Sequence, residues 1–174
     1  MYGIRSASIA VASILALVSC TTEAPAGSDS TQIVTTVSTA DAAADEQAIR
    51  AINPAWFKAH QSGDVDGIVA LYSDDAVISA PGAAPARGTA AIRALYAKDM
   101  ADVAAAGLTL APGSAPEFGV SGDLGYEWNT YTVTDKSGKT VDTGKYTSIF
   151  ARRNGKWVTI RDTWNSDTPP APAP

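Results

Sequence analysis

Asp162 and Lys145 are the residues of this 174-residue chain whose types and placement best suit chemistry. Asp162 lies in Ile160-Arg161-Asp162-Thr163-Trp164, with bulky apolar side chains two residues before and after it. Positions i and i+2 of a strand share a face, so this carboxylate is expected among hydrophobic neighbours. A carboxylate in such a place either exchanges a proton or anchors a ligand. The alternative is a structural ion pair with Lys145, and Lys145 carries the same two readings. Trp56, Tyr126, Trp128, Thr147 and Trp164 are the candidates for an apolar ligand-binding wall around the acid; the alternative for the aromatics is ordinary core. His60 is the sole histidine, one helical turn after Trp56. It is expected either near a cavity mouth as an acid or base, or half-buried in a structural role. Asp74 and Asp75, at the start of the run DDAVISAP, are expected to cap a turn. No His, Cys and carboxylate cluster has metal-ligand spacing, and there is no phosphate loop or nucleophile motif, so no metal or other cofactor is expected.

The elements that must position these residues follow from periodicity. Ile49, Ile52, Trp56 and His60 form a helical stripe within Asp45 to Ser62, with a kink expected at Pro54 and a stop at Gly63. Asp64 is expected to cap a short helix carrying Val65, Ile68, Val69 and Tyr72. Ala76 to Ala80 reads as a strand. Thr89 is expected to cap a third helix that buries Ile92, Leu95, Tyr96 and Met100 and stops at Gly107. After Gly107 the period becomes two. Strands are expected over Leu108 to Ala111, Glu117 to Val120, Leu124 to Thr134, Lys139 to Ala151 and Lys156 to Asn165. Ser137-Gly138 and Asn154-Gly155 supply hairpin turns.

Two-residue turns at both places set the register. They pair Ala151 with Val158, Thr147 with Asp162, Lys145 with Trp164, Thr130 with Lys145 and Trp128 with Thr147. One face then carries Tyr126, Trp128, Thr130, Lys145, Thr147, Ile149, Asp162 and Trp164, which suits a lined cavity for a small apolar or aromatic molecule. The other carries Tyr131, Tyr146, Phe150 and Trp157. That second face is expected to be the outer one and to form a homodimer.

Three helices followed by a curved antiparallel sheet, an α+β arrangement, resemble the nuclear transport factor 2-like fold with its cone-shaped barrel. The segments Gly63 to Tyr72, Asp74-Asp75-Ala76 and Arg87 to Arg93 resemble bacterial ketosteroid isomerases. Gly144-Lys145-Tyr146 and Asp162 to Asp167 resemble SnoaL-like proteins of the same superfamily. The isomerase uses an Asp base, with a Tyr and a protonated Asp that bind the oxyanion. Carried over by this resemblance, the base falls on Ala80, the tyrosine on Trp56 and the buried acid near Thr147. All three groups are missing, which implies no steroid isomerase activity. Two function classes remain: a small-molecule binding or sensing protein without chemistry, and an enzyme of the polyketide-cyclase or hydrolase type that uses Asp162 with Lys145 or a water. A structural dimer module is a third.

The remaining segments bear on location. Ile9 to Val18 is an apolar run too short to span a bilayer, as in a secretory signal over residues 1–19. Leu17-Val18-Ser19-Cys20 resembles the lipobox of bacterial lipoproteins, which implies acylation of Cys20 and export to a membrane face. Thr21 after the cysteine implies the outer membrane where the cell has one. Residues 20–40 are rich in Thr, Ser, Ala, Gly and Pro and read as a disordered tether; 41–167 form the domain; 168–174 read as a Pro-rich tail. The chain has 13 basic and 18 acidic residues and a net charge of −5, which offers no footprint for nucleic acid.

Overall fold

Four helices and seven strands follow one another in the computed structural model, which describes residues 39–169. The expected signal, Cys20, nearly all of the tether and the end of the Pro-rich tail lie outside the described residues.

The expected first helix is two. α1 (Thr39–Arg50) and α2 (Ile52–Ser62) are separated at Ala51. Pro54 thus falls in the first turn of α2, where a backbone N–H has no partner within the helix. The chain breaks ahead of the proline instead of losing a bond at a kink. Gly63 ends α2 in the left-handed conformation, and the Asp64 carboxylate caps α3 (Val65–Val69) by accepting from Gly67 N at 2.8 Å. Tyr72 is not on that short helix. It opens β1 (Tyr72–Ser79), because Thr159 N already donates to Leu71 O and draws the chain onto the sheet.

β1 pairs with the short β2 (Ala86–Arg87) and then leads to α4 (Gly88–Ala106). Thr89 does not cap α4; its hydroxyl donates to Asp74 Oδ1 at 3.3 Å and ties that helix to β1. Asp74 and Asp75 sit on the strand, where its pairing is irregular, and Asp75 accepts from Ser73 Oγ. The run DDAVISAP is therefore a sheet element with its acids outside the core.

β3 (Thr109–Pro112) and β4 (Glu117–Ser121) both pair with β5 (Leu124–Thr134), followed by β6 (Thr140–Arg153) and β7 (Lys156–Ser166). The order is β2-β1-β7-β6-β5-β3, with β4 beside β5. The sheet is curved and does not close into a barrel. It is mixed, because β1 lies parallel to β7 while every other pairing is antiparallel. A parallel pair needs a long crossover, and the intervening α4 and hairpins supply it.

The two hairpins decide which side chains face the helices. β5 and β6 pair as expected, with Thr130 opposite Lys145 and Trp128 opposite Thr147. Asn154 and Gly155 both have positive φ, the type I′ geometry, and Ala151 pairs with Val158. The pairing then runs from Phe150↔Thr159 to Ile149↔Arg161 and leaves Ile160 without a counterpart. This β-bulge shifts the rest of β7 by one residue. Asp162 faces Ser148 instead of Thr147, and Trp164 faces Tyr146 instead of Lys145.

That one residue separates Asp162 and Trp164 from Tyr126, Trp128, Lys145 and Thr147, and the helices cover the face opposite to the expected one. Asp162 and Trp164 share the helix-covered side with Glu127, Asn129, Tyr146, Ser148 and Phe150. Tyr126, Trp128, Lys145, Thr147 and Ile149 lie on the opposite side, where Tyr126 is 45% exposed and Trp128 37%. The aromatic stripe expected outside is inside: Tyr146, Phe150 and Trp157 are buried.

Two apolar clusters hold these layers together. Ile68, Ala76, Ile78, Ile92, Tyr96 and Met100 join α3, β1 and α4; Ile49, Ile52, Phe150 and Trp157 join α1 and α2 to the sheet. The Asp45 carboxylate fastens α1 by accepting from Trp157 Nε1 at 3.1 Å and from the Arg152 guanidinium.

Candidate functional site

A cavity of about 440 Å³ lies between α2, α4 and the covered face of β5, β6 and β7. Its volume is within the usual range for small-molecule sites. Six aromatic rings line it: Trp56 and Phe57 from α2, Tyr96 from α4, Tyr131 from β5, Tyr146 from β6 and Trp164 from β7. Helical spacing brings Asn53 and Trp56 to one side of α2, one turn apart. Strand alternation, restored by the bulge, brings Ser148, Asp162 and Trp164 to the other wall.

Asp162 is the chemical centre of this wall. Tyr72 Oη donates to its Oδ2 at 2.6 Å, and Ser148 Oγ donates to its Oδ1 at 3.1 Å. Burial pushes its carboxyl up to about 6, against the opposing pull of those two hydroxyls and the Thr163 backbone N–H. The charge of Glu127 pushes in the same direction as burial. Tyr72 and Tyr96 hydroxyls are 2.7 Å apart. Since the single Tyr72 proton goes to Asp162, Tyr96 donates to Tyr72. A chain of two phenols thus runs from a cavity-lining ring to the carboxylate. Burial and the nearby Asp162 charge hold both phenols far above their ordinary range, so both stay protonated.

A second carboxylate, Glu127, lies in register with Ser148, which in turn lies in register with Asp162. Two strand spacings separate the acids, about 10 Å. Glu127 is 2% exposed, its Oε1 accepts from Tyr146 Oη at 2.7 Å, and burial raises its carboxyl above the usual range. The Asn53 amide lies close enough to the Glu127 carboxyl, and the Trp56 indole N–H to the Tyr96 phenol, to pull each partner's proton affinity down, although neither contact has good hydrogen-bond geometry. Asn53 and Trp56 both line the cavity.

The positions singled out in the sequence separate into two sets. Trp56, Asp162 and Trp164 line the cavity together. Lys145 does not reach Asp162; its Nζ pairs with Asp167 Oδ1 at 2.6 Å on the far side of the sheet. Thr147, Tyr126 and Trp128 face the same far side and touch no part of the cavity. His60 is 5% exposed, stacks on Trp56 with ring centroids 5.0 Å apart, and bonds through Nε2 to Asp99 Oδ2 at 2.9 Å. It supports the cavity wall from behind. Sequence reasoning missed Tyr72, Ser148, Glu127 and Tyr146. No local signal marks them: alternation in Glu127-Trp128-Asn129 would put the ring inside, and the packed sheet reverses it. Among the described residues no group of three or more His, Cys, Asp or Glu has the geometry of a metal site.

The raised carboxyl of Asp162 has a consequence for stability. The folded state binds this proton more tightly than the unfolded chain, whose Asp has a value of 3.8. The penalty is therefore absent below about pH 4, grows as pH rises to about 6, and persists above, on the order of 3 kcal/mol. Asp162→Asn should raise the denaturant midpoint at about pH 7 and give little gain at about pH 4. Chemical denaturation at both pH values checks this; an equal effect at the two would refute it.

Comparison with known proteins agrees with this architecture. The SnoaL-like domain family matches residues 54–160. A nuclear transport factor 2-like protein with a cystatin-like fold from Novosphingobium aromaticivorans superposes with a TM-score of 0.64 at 23% identity, covering 73% of this chain and 88% of that one. A nuclear transport factor 2-like protein of unknown function from Pseudomonas putida gives 0.64 at 22% identity, with 71% and 87% covered. A ketosteroid isomerase-like protein from Erwinia carotovora atroseptica gives 0.56 at 21% identity, with 71% and 96% covered. At these identities the likeness is one of fold. The match over residues 54–160, which span the cavity-lining helices, Tyr72 and all but the end of the sheet, places the chain in the SnoaL-like domain family.

Proposed function

We propose that this domain binds a small, largely apolar molecule in its aromatic cavity and does not isomerise steroids. The observation that carries the reading is a cavity of about 440 Å³ walled by six aromatic rings, with Ser148 and Asp162 among the few polar groups on its lining. Such a wall calls for a ligand with a large apolar body and a polar group that can meet Asp162. The isomerase comparison supports the second half. Its base position is Ala80, which lies off the cavity lining; its tyrosine position is Trp56, which has no hydroxyl; and its buried acid aligns near Thr147, on the far face. With no base at the reacting carbon, about 10²- to 10⁴-fold of general-base catalysis is gone. No turnover of a Δ5-3-ketosteroid is expected in a spectrophotometric assay, and measurable turnover lost on filling the cavity would sink this point.

A second reading is favoured by Asp162 itself. A carboxyl held at about 6 beside a phenol chain is suited to accept and return a proton near neutral pH. On this reading Asp162 is the general acid/base, Tyr72 and Ser148 orient it, and Lys145 has no part. Native mass spectrometry of the protein from its own host should reveal a retained small molecule. If that molecule is converted, the rate should rise with pH through about 6 and fall at least about 10²-fold in Asp162→Asn. Retention without conversion, with affinity kept in Asp162→Asn, is the outcome for a binder. The same spectra give the subunit count. Two is expected, because Leu124, Tyr126, Trp128 and Ile149 expose apolar surface on the uncovered sheet face and a symmetric pair is the simplest closed way to bury it.

Export and anchoring rest on Leu17-Val18-Ser19-Cys20. Acylated Cys20 would hold the domain at a membrane face, with the polar segment after it as a tether. Cys20→Ser should move the protein from the membrane fraction to the soluble fraction on cell fractionation; unchanged membrane association would argue against lipidation.

A further inference from the structure

The charges on the cavity wall are of one sign. Asp162 lies on the sheet side, Asp142 comes from β6 and Asp99 from α4, and among the described residues no Lys, Arg or His lines the cavity. Asp99 is at the rim, with 39% of its side chain exposed; its Oδ2 is bonded to His60 Nε2 behind the wall, which leaves Oδ1 as the oxygen open to a ligand. Asp142 is held by neutral donors, Ser166 Oγ at 2.6 Å and Thr168 Oγ1 at 2.9 Å, which fix the carboxylate without cancelling its charge. The cations of the region are spent or set aside. Lys145 is paired with Asp167 and Lys98 with Asp102, and the Lys136 stem packs beside Gly107, outside the lining.

Aromatic faces attract a cation through their negative quadrupole, more strongly when the cation is desolvated. Carboxylates at the rim and on the wall act in the same direction, and a low-dielectric cleft concentrates their field. An anion in this cavity would meet three carboxylates and no countercharge, and burying it there is costly. A neutral apolar ligand would satisfy the rings but leave the carboxylates without a use in binding.

We propose that the molecule held in this cavity is a cation, an amine with an aromatic or other apolar body whose ammonium group lies against the aromatic wall within reach of Asp162. This deepens, and rests on, the reading of the cavity as a small-molecule site. The rim acids Asp99 and Asp142 draw the cation in, and the rings and Asp162 hold it.

Three probes of one shape and different charge test this on the intact protein: naphthylmethylamine, naphthylmethanol and naphthoate, titrated by calorimetry near neutral pH. The amine should bind about tenfold or more tightly than the alcohol, equivalent to about 1.4 kcal/mol, and naphthoate should bind weakest. Added salt should weaken the amine more than the alcohol. The double substitution Asp99→Asn with Asp142→Asn should cost the amine more affinity than the alcohol. Equal binding of amine and alcohol, or preferred binding of naphthoate, would overturn the charge assignment while leaving the small-molecule reading in place. Failure of all three probes to bind would overturn both.

Discussion

The unpaired residue Ile160 turns the second half of β7 over by one side-chain position, and the cavity depends on that step. Upstream of it, β6 and β7 pair so that Phe150 and Trp157 pack under α1 and α2. Downstream, the same face must carry Asp162 and Trp164 toward α4. A regular two-strand ladder cannot do both, because alternation would send Asp162 to the side of Thr147 and Lys145. The bulge lets one continuous strand close an apolar core at one end and wall a polar-floored cavity at the other. It also places Asp162 beside Ile78 of the parallel neighbour β1, which brings Tyr72 of that strand within hydrogen-bonding reach.

Burial then sets the electrostatics. Asp162 loses solvent faster than Tyr72, Ser148 and the Thr163 backbone restore its hydrogen bonds, so its proton affinity rises. Glu127 is in the same position: burial raises its proton affinity more than the Tyr146 hydroxyl and the Asn53 and Asn129 amides lower it. A protein selected only for stability would replace both with amides or apolar groups, since unpaired buried acids destabilise the fold. Asp162 and Ser148 line a space large enough for a ligand, and Glu127, next on the same cross-strand row, holds the lining ring of Tyr146 through its hydroxyl. His60 and Asp99 fit the same view from the helical side. Their bond and the Trp56 stack hold the indole against the cavity without offering a free base.

Much of the scaffold is written in short stretches of sequence. Asp64 caps its helix through a local hydrogen bond, Gly63 and Gly107 stop helices, and Asn154-Gly155 turns a hairpin, each through a preference acting within a few residues. The order of helices and strands and the α+β class follow from these signals and from the change of period after Gly107. Trp56, Asp162 and Trp164 were also legible as members of one cavity. The side of Trp56 is set by the helical stripe through Ile49 and Ile52, whereas Asp162 and Trp164 share a side with each other by alternation but reach the cavity only through the bulge at Ile160.

The rest was decided only by tertiary packing. Nothing local in Val158-Thr159-Ile160-Arg161 announces that one residue will go unpaired, since a bulge answers to the curvature of the whole sheet. Without it, the exposed rings of Tyr126 and Trp128 read as pocket and the buried Glu127 and Asn129 as surface, the reverse of what packing imposes. Tyr72 joined the site for a similar reason: its role depends on a parallel pairing between strands almost 90 residues apart. Most of the elements and their order are readable from the chain alone, because they rest on contacts between near neighbours. Which face is covered, which groups surround Asp162 and what charge the cavity presents were decided by register and burial, which belong to the assembled sheet.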